Sequence, residues 1–456
     1  MTSEVVVMNR LGIALASDSA ASVYIGGRSK VYQANKLFML SYHHPVGVMV
    51  YNNSSLLGVP WETILKMFRA RLGARVFPTL EEYTLELLGF LSNNRHLFPT
   101  YIQKRYFLHL VEHLFEGIND GVDAEFIRRS RESDGEGHVL EADVLGEVIS
   151  KSLDEWRKKK DICQTCFGVD DVGGQLVGEA SGEITALVHK AFPTAGSELV
   201  SQFYELAKLV VNKEEILQES LSGIVIAGYG NDEYFPVMDQ IELGEIFLDK
   251  PKFNRIETRR ISDDTPSVIK PFAQSDVVRT FLDGISPAFE KKVINEVVKI
   301  MIEVPQEVID AMPGVGRRRK ADYKAKVDAV SEEAIISVAS KLMNFKERKH
   351  LQPILQSIEF LPKDELAHAA SSLVNLSSFQ KRMSMTEDES VGGPIDVAVI
   401  SKGDGFVWID RKHYFKPELN QHYFRNRNIE TRNQKNGESD GATQEAGKES
   451  APDDGE

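Results

Sequence analysis

The feature that most constrains this chain is a strand placed at its very start. Thr2-Ser3 leads at once into Glu4-Val5-Val6-Val7-Met8, Asn9-Arg10-Leu11-Gly12 reads as a turn, and Ile13-Ala14-Leu15-Ala16-Ser17-Asp18 reads as a returning strand. A second apolar run, Lys36-Leu37-Phe38-Met39-Leu40, follows a short polar connection. A hairpin that begins at the start codon carries the expectation that no signal peptide precedes it. Chain termini normally fray, so a terminus tied into a sheet is expected to have a use there.

Chemistry supplies one. An initiator Met is normally trimmed when a small residue follows, which would leave Thr2 with both a hydroxyl and a free α-amine. An α-amine has a pKa of about 8, so near neutrality it can take the hydroxyl proton, and threonine with its own amine is a nucleophile–base pair. Such a site needs a cation to lower the hydroxyl pKa and a carboxylate to hold that cation. Asp18 and Lys36 are expected on successive strands, where both could reach Thr2.

At these residues the chain resembles the 20S proteasome β-subunit family of N-terminal nucleophile hydrolases. The matches are Thr2, Asp18 at the end of the second strand, and Lys36-Leu37-Phe38 opening the next. A distant segment adds to the likeness: Asp388-Glu389-Ser390-Val391-Gly392-Gly393-Pro394, then Ile395-Asp396-Val397-Ala398-Val399-Ile400 and a Lys402-Gly403-Asp404-Gly405 turn. The resemblance implies that Asp388 supports the Thr2 amine and that backbone N–H near Val50 stabilises an oxyanion. It also implies supporting roles for Ser275 and for Ser390, one position before the family's serine, where Val391 stands here. It further implies an α+β fold, a four-layer αββα sandwich of two antiparallel sheets, here with helical insertions. The implied activity is threonine-type hydrolysis of peptide bonds through an acyl-enzyme, with no metal or organic cofactor. Implied partners are a peptide or protein substrate and further copies of the chain. An ATP-dependent unfoldase is left open.

The chain has 456 residues, 42% of them hydrophobic, which is enough for a substantial core. No apolar run reaches transmembrane length. A net charge of -14 argues against a general nucleic-acid binder or a protein of anionic membranes. Two cysteines, Cys163 and Cys166, make no disulfide framework, and a cytoplasmic location is expected.

The expected organisation interleaves sheet and helix. Residues 1–95 form the first part of the core: the hairpin, a strand from Pro45 to Tyr51, a helix from Leu56 to Leu72 and another from Thr79 to Asn93. Residues 96–221 read as a helical insertion, with helices Tyr101 to Phe115, Val139 to Lys159 and Ser197 to Ser220. The core resumes at 222–290, with a strand at 223–230, a hairpin from Phe235 to Leu248, and Ser275 before a helix Val277 to Ile285. A second helical insertion spans 291–359, and 360–415 supplies a closing helix and strands. The tail, 426–456, is polar and acidic and is expected to be disordered.

Two motifs compete. His109-Leu110-Val111-Glu112-His113 matches an inverted zinc-peptidase pattern, with two imidazoles on one helix face and a carboxylate between. It requires a third ligand, such as Glu179 or Glu183, and an amphipathic helix is the plainer reading. Arg317-Arg318-Arg319-Lys320 is a short basic run that reads as a solvated helix end. Two other functions remain open beside the peptidase: a catalytically inactive scaffold on the same fold, and an amidase of small acyl substrates.

Overall fold

The computed structural model describes residues 3–25, 28–132, 141–193, 195–218, 220–383 and 392–422. Described residues up to Ile409 form one compact unit and those from Asp410 another, whose described residues include a helical turn at Pro417–Leu419. Thr2, Asp388, Ser390, Val391 and the 426–456 tail lie outside the described residues.

The opening hairpin consists of β1 (Ser3–Asn9) and β2 (Gly12–Ser17). The connection read as a polar loop is instead a second hairpin, β3 (Ala20–Ile25) and β4 (Arg28–Gln33). β-branched and aromatic residue types at 23–25 and 31–32 are its signal in the sequence. β5 (Leu37–Met39) and β6 (Val46–Asn52) follow. The next helix begins later than expected. Ser55–Leu56 (β7) and Val59–Pro60 (β8) pair around Leu57 and Gly58, whose φ values of 48° and 80° build a tight turn. Pro60 then precedes α1 (Trp61–Leu72). At the start of α2 (Leu80–Ser92), Glu233 rather than Thr79 caps the helix, its Oε2 accepting from the Leu80 N–H at 3.0 Å.

Six helices come next: α3 (Thr100–Glu132), α4 (Glu141–Lys158), α5 (Gln164–Phe167), α6 (Val172–Glu179), α7 (Ser181–Ala191) and α8 (Ser197–Asn212). α3 runs well past Phe115, because the apolar spacing continues through Ile118 and Val122. Strands return as β9 (Ser222–Gly228), β10 (Val237–Phe247), β11 (Lys250–Arg260) and β12 (Ser267–Ala273). They are followed by α9 (Asp276–Asp283), α10 (Pro287–Ala311), α11 (Arg317–Lys346), α12 (Gln352–Glu359) and α13 (Lys363–Met383). β13 (Asp396–Ser401) and β14 (Gly405–Asp410) close the sequence of elements.

Two five-stranded sheets result, ordered β12-β1-β2-β13-β14 and β11-β10-β9-β6-β5. Every register resolved within them is antiparallel. Strand alternation divides the side chains into three cores. Val6, Met8, Ile13 and Leu15 of the first sheet pack with Met49, Tyr51, Val225 and Met238 of the second. On the first sheet's other face, Val5, Val7, Ala14 and Val397 meet Leu366, Ala370 and Val374 of α13 and Val278 of α9. On the second sheet's other face, Val48, Val50, Ile224 and Ile226 join residues of α1 to α4 and of α8. β1 is buried along its whole length, each of its valines adding about 1.5–3 kcal/mol.

Candidate functional site

β1 and β2 bring the two ends of the hairpin together where Ser3 meets Asp18. The Asp18 N–H donates to the Ser3 carbonyl at 3.1 Å, and the Ser3 N–H returns a bond to Asp18 Oδ1 at 3.0 Å. Asp18 Oδ1 also accepts from Lys36 Nζ at 2.8 Å, in a pair whose side chains are 0% and 7% exposed. Its Oδ2 accepts from the backbone N–H of Ala20 at 3.3 Å and of Gly392 at 3.1 Å. Lys36 Nζ gives a further bond to the Ala20 carbonyl at 2.5 Å. The pair is buried and hydrogen-bonded on both sides, the condition under which a desolvated ion pair is tolerable.

Glu4, which the sequence reading passed over, belongs to the same cluster. Strand alternation sets it on the face of Val6 and Met8, fully buried between the sheets. Ser17 Oγ donates to its Oε1 at 3.3 Å, and its Oε2 has no partner among the described residues. Burial pushes this carboxyl up to about 8; Asp18 raises it too, while the Lys36 charge and the Ser17 hydroxyl oppose the shift. Its signal in the sequence was a carboxylate at an inward position of an apolar strand.

Two of the expected supporting groups take the following places in the fold. The Val50 N–H is not free for an oxyanion, because it donates to the Lys36 carbonyl at 2.9 Å, extending the β5–β6 ladder by one step. Ser275 stands two residues beyond Ala273, the partner of Ser3 in β12, but its side chain makes no cap bond at the start of α9.

The rival motifs also resolve. His109 and His113 stack edge to face with ring centroids 4.5 Å apart, while Glu112 is taken by Lys190 at 2.8 Å and Glu183 by Lys104 at 2.6 Å. Among the described residues no three His, Cys, Asp or Glu side chains are grouped to hold a metal ion. Cys163 is exposed, and Cys166 is buried with its Sγ donating to the Phe253 carbonyl at 3.0 Å. No helix among the described residues is long and apolar enough to cross a membrane.

No protein-family model matches the chain, and no curated protein does. Similar solved structures are Anbu proteins. An Anbu mutant from Hyphomicrobium sp. strain MC1 is 11% identical, with 100% of both chains covered and a TM-score of 0.27. The helical assembly of the Anbu complex from Pseudomonas aeruginosa is 9% identical, with 99% of this chain and 98% of that one covered and a TM-score of 0.30. Anbu from Yersinia bercovieri, described as an ancestral beta-subunit, is 9% identical, with 99% and 100% covered and a TM-score of 0.24. The family suggested by the sequence is thereby corrected: the likenesses are to Anbu, a proteasome-like relative in a different family, and not to the 20S β-subunits. Scores this low carry no weight for function, which must be argued from the residues.

Proposed function

We propose that the chain is an N-terminal threonine hydrolase of amide bonds, acting on peptides once Met1 is removed. The observation that carries this reading is the buried Lys36–Asp18 pair, tied by Asp18 to the backbone N–H of Ser3, the residue bonded to Thr2. Thr2 Oγ attacks the carbonyl carbon, and the Thr2 amine takes the hydroxyl proton and returns it to the leaving amine. Water then cleaves the ester, regenerating the hydroxyl. Lys36 lowers the pKa values of both Thr2 groups, Asp18 orients Lys36, and Asp388 supports the amine. The three cores favour four layers, helix–sheet–sheet–helix, with residues 96–221 and 291–359 inserted into it. Several copies would assemble together.

Intact-mass spectrometry and Thr2→Ala test this reading. Loss of Met1, turnover of fluorogenic peptides and labelling by an epoxyketone probe are expected, with turnover and labelling abolished in Thr2→Ala. Retained Met1 with no labelling would sink it. That result would favour the inactive scaffold, for which the engaged Val50 amide speaks. Turnover of simple amides without peptides would favour the small-substrate amidase.

A further inference from the structure

Strand β10 loses its regular pairing as it passes Gly244 and Glu245, where its register with β11 shifts between Leu243 and Ile246. A bulge re-aims a side chain out of the sheet's alternation. Here that side chain is a carboxyl, 8% exposed, lining a cavity of about 200 Å3. His109 and His113, one turn apart on α3, line it too, with Tyr106, Ser220 and the Asn53–Gly58 segment after β6. A more open groove of about 650 Å3 shares Tyr106 and His109 with the cavity and leads past Arg105 and Lys190.

The cavity is polar and lacks a cation. No lysine or arginine lines it, and Lys252, which shares a neighbouring void with Glu245, directs its Nζ to the Val210 and Glu215 carbonyls instead. Burial pushes the Glu245 carboxyl up to about 7, with only the Ser220 hydroxyl opposing. A buried carboxyl without its counter-charge, set in a cavity among other polar groups, marks a binding site whose ligand supplies the missing charge. The volume is below the roughly 300–1,000 Å3 of a site for a drug-sized molecule. It suits one extended side chain or a small amine.

We propose that this cavity binds a primary ammonium on an unbranched alkyl chain, such as a lysine side chain or the end of a polyamine, with Glu245 as its counter-ion. The alkyl stem would lie along Leu56, Leu57 and Leu110, with the ammonium at Glu245 and Ser220. Such a site needs no hydrolase chemistry. It lies past the C-terminal end of β6, the strand whose Val50 N–H donates to the Lys36 carbonyl.

The pH dependence has a definite sign. The ammonium prefers the ionised carboxyl, so binding weakens as pH falls through about 7. His109 and His113 line the same cavity, His113 with its Nδ1 3.2 Å from Glu116. Tyr106 faces the cavity as well, and Lys252 on β11, which shares a neighbouring void with Glu245, gives its Nζ to the Val210 and Glu215 carbonyls; burial pushes this ammonium down to about 7, so it gains charge over the same range as pH falls and also opposes an incoming ammonium.

Calorimetry on the full Thr2→Ala chain tests the site without turnover. The ligands are Nα-acetyl-lysine amide, cadaverine, and the uncharged Nα-acetyl-norleucine amide. Expected are binding of the first at least about tenfold tighter than of the norleucine amide, and at least about tenfold weaker binding in Glu245→Gln. Proton release near pH 7 should approach roughly half a proton per ligand. Cadaverine binding as well as the lysine amide assigns the site to free amines; binding of the lysine amide alone assigns it to peptides. Should Glu245→Gln fail to fold, carboxyl-labelled glutamate NMR on the Thr2→Ala chain reads the same event as ionisation of Glu245 on saturation. Equal binding of the norleucine amide, no binding of either amine at millimolar concentration, or stoichiometric zinc in place of amine would overturn the assignment.

Discussion

Asp18 accepts from the backbone N–H groups of Ser3, Ala20 and Gly392 and from Lys36 Nζ. Replacing it by Asn leaves a buried ammonium without its counter-charge, and urea unfolding of Asp18→Asn should show a loss of about 3–5 kcal/mol. Lys36→Met leaves the buried Asp18 carboxylate without its counter-charge and should cost a similar amount, so its folded fraction is measured by the same urea titration. On the proposed hydrolase reading, peptide turnover per folded molecule should fall by about 10²–10⁴-fold in steady-state assays. Glu4 makes a separate prediction. Its carboxyl rises from an ordinary 4.5 to about 8 on folding, so the folded state holds this proton more tightly than the unfolded chain. The stability this contributes is fully present below 4.5 and is lost as pH rises through about 8, on the order of 5 kcal/mol in all. Denaturant titrations across that window should slope downward, and Glu4→Gln should flatten the slope. Asp18 and Lys36 were legible in the sequence because each stands at the edge of an apolar run. Glu4 was not, because its chemistry comes from the second sheet laid over it, which no local pattern announces.

Among the elements, β1 and the α10–α11 pair are opposites. All seven residues of β1 are buried, and the strand is laddered on both sides to β12 and β2. α10 and α11 are 25 and 30 residues long, yet only Ile309 and Ser331 are buried on them. Pro305 also removes an N–H inside α10. Hydrogen exchange should therefore be slowest at residues 3–9 and far faster across 287–346. Pro305→Ala should slow exchange in its own turn of helix. The hairpin of β1 and β2 and the strand β13 were legible from apolar runs bounded by turn residues. The bulge in β10 was not, because it is defined by its pairing with β11 rather than by its own residues. The start of α1 was misread because a helical apolar spacing runs on through Leu56 and Leu57, where a tight turn takes precedence.

At the scale of the molecule, the first sheet is assembled from three remote parts of the chain. β1 pairs with β12 at 267–273, and β2 pairs with β13 at 396–400. The two sheets were legible as strand character, whereas their order depends on contacts across hundreds of residues. A chain ended at residue 383 lacks β13 and β14, leaving β2 as an apolar open edge, and should be insoluble on expression. Because the long loops must close before these pairings form, refolding of the full chain should be slow, on the scale of milliseconds to seconds or longer. The bond from the Gly392 N–H to Asp18 has a bearing on biosynthesis. At about 5–20 residues per second, a ribosome takes roughly 20–80 s to reach that glycine. Until that glycine emerges, the lysine–aspartate pair of the growing polypeptide lacks its last strut, so the cluster around Asp18 can close only after residue 392 has left the ribosome.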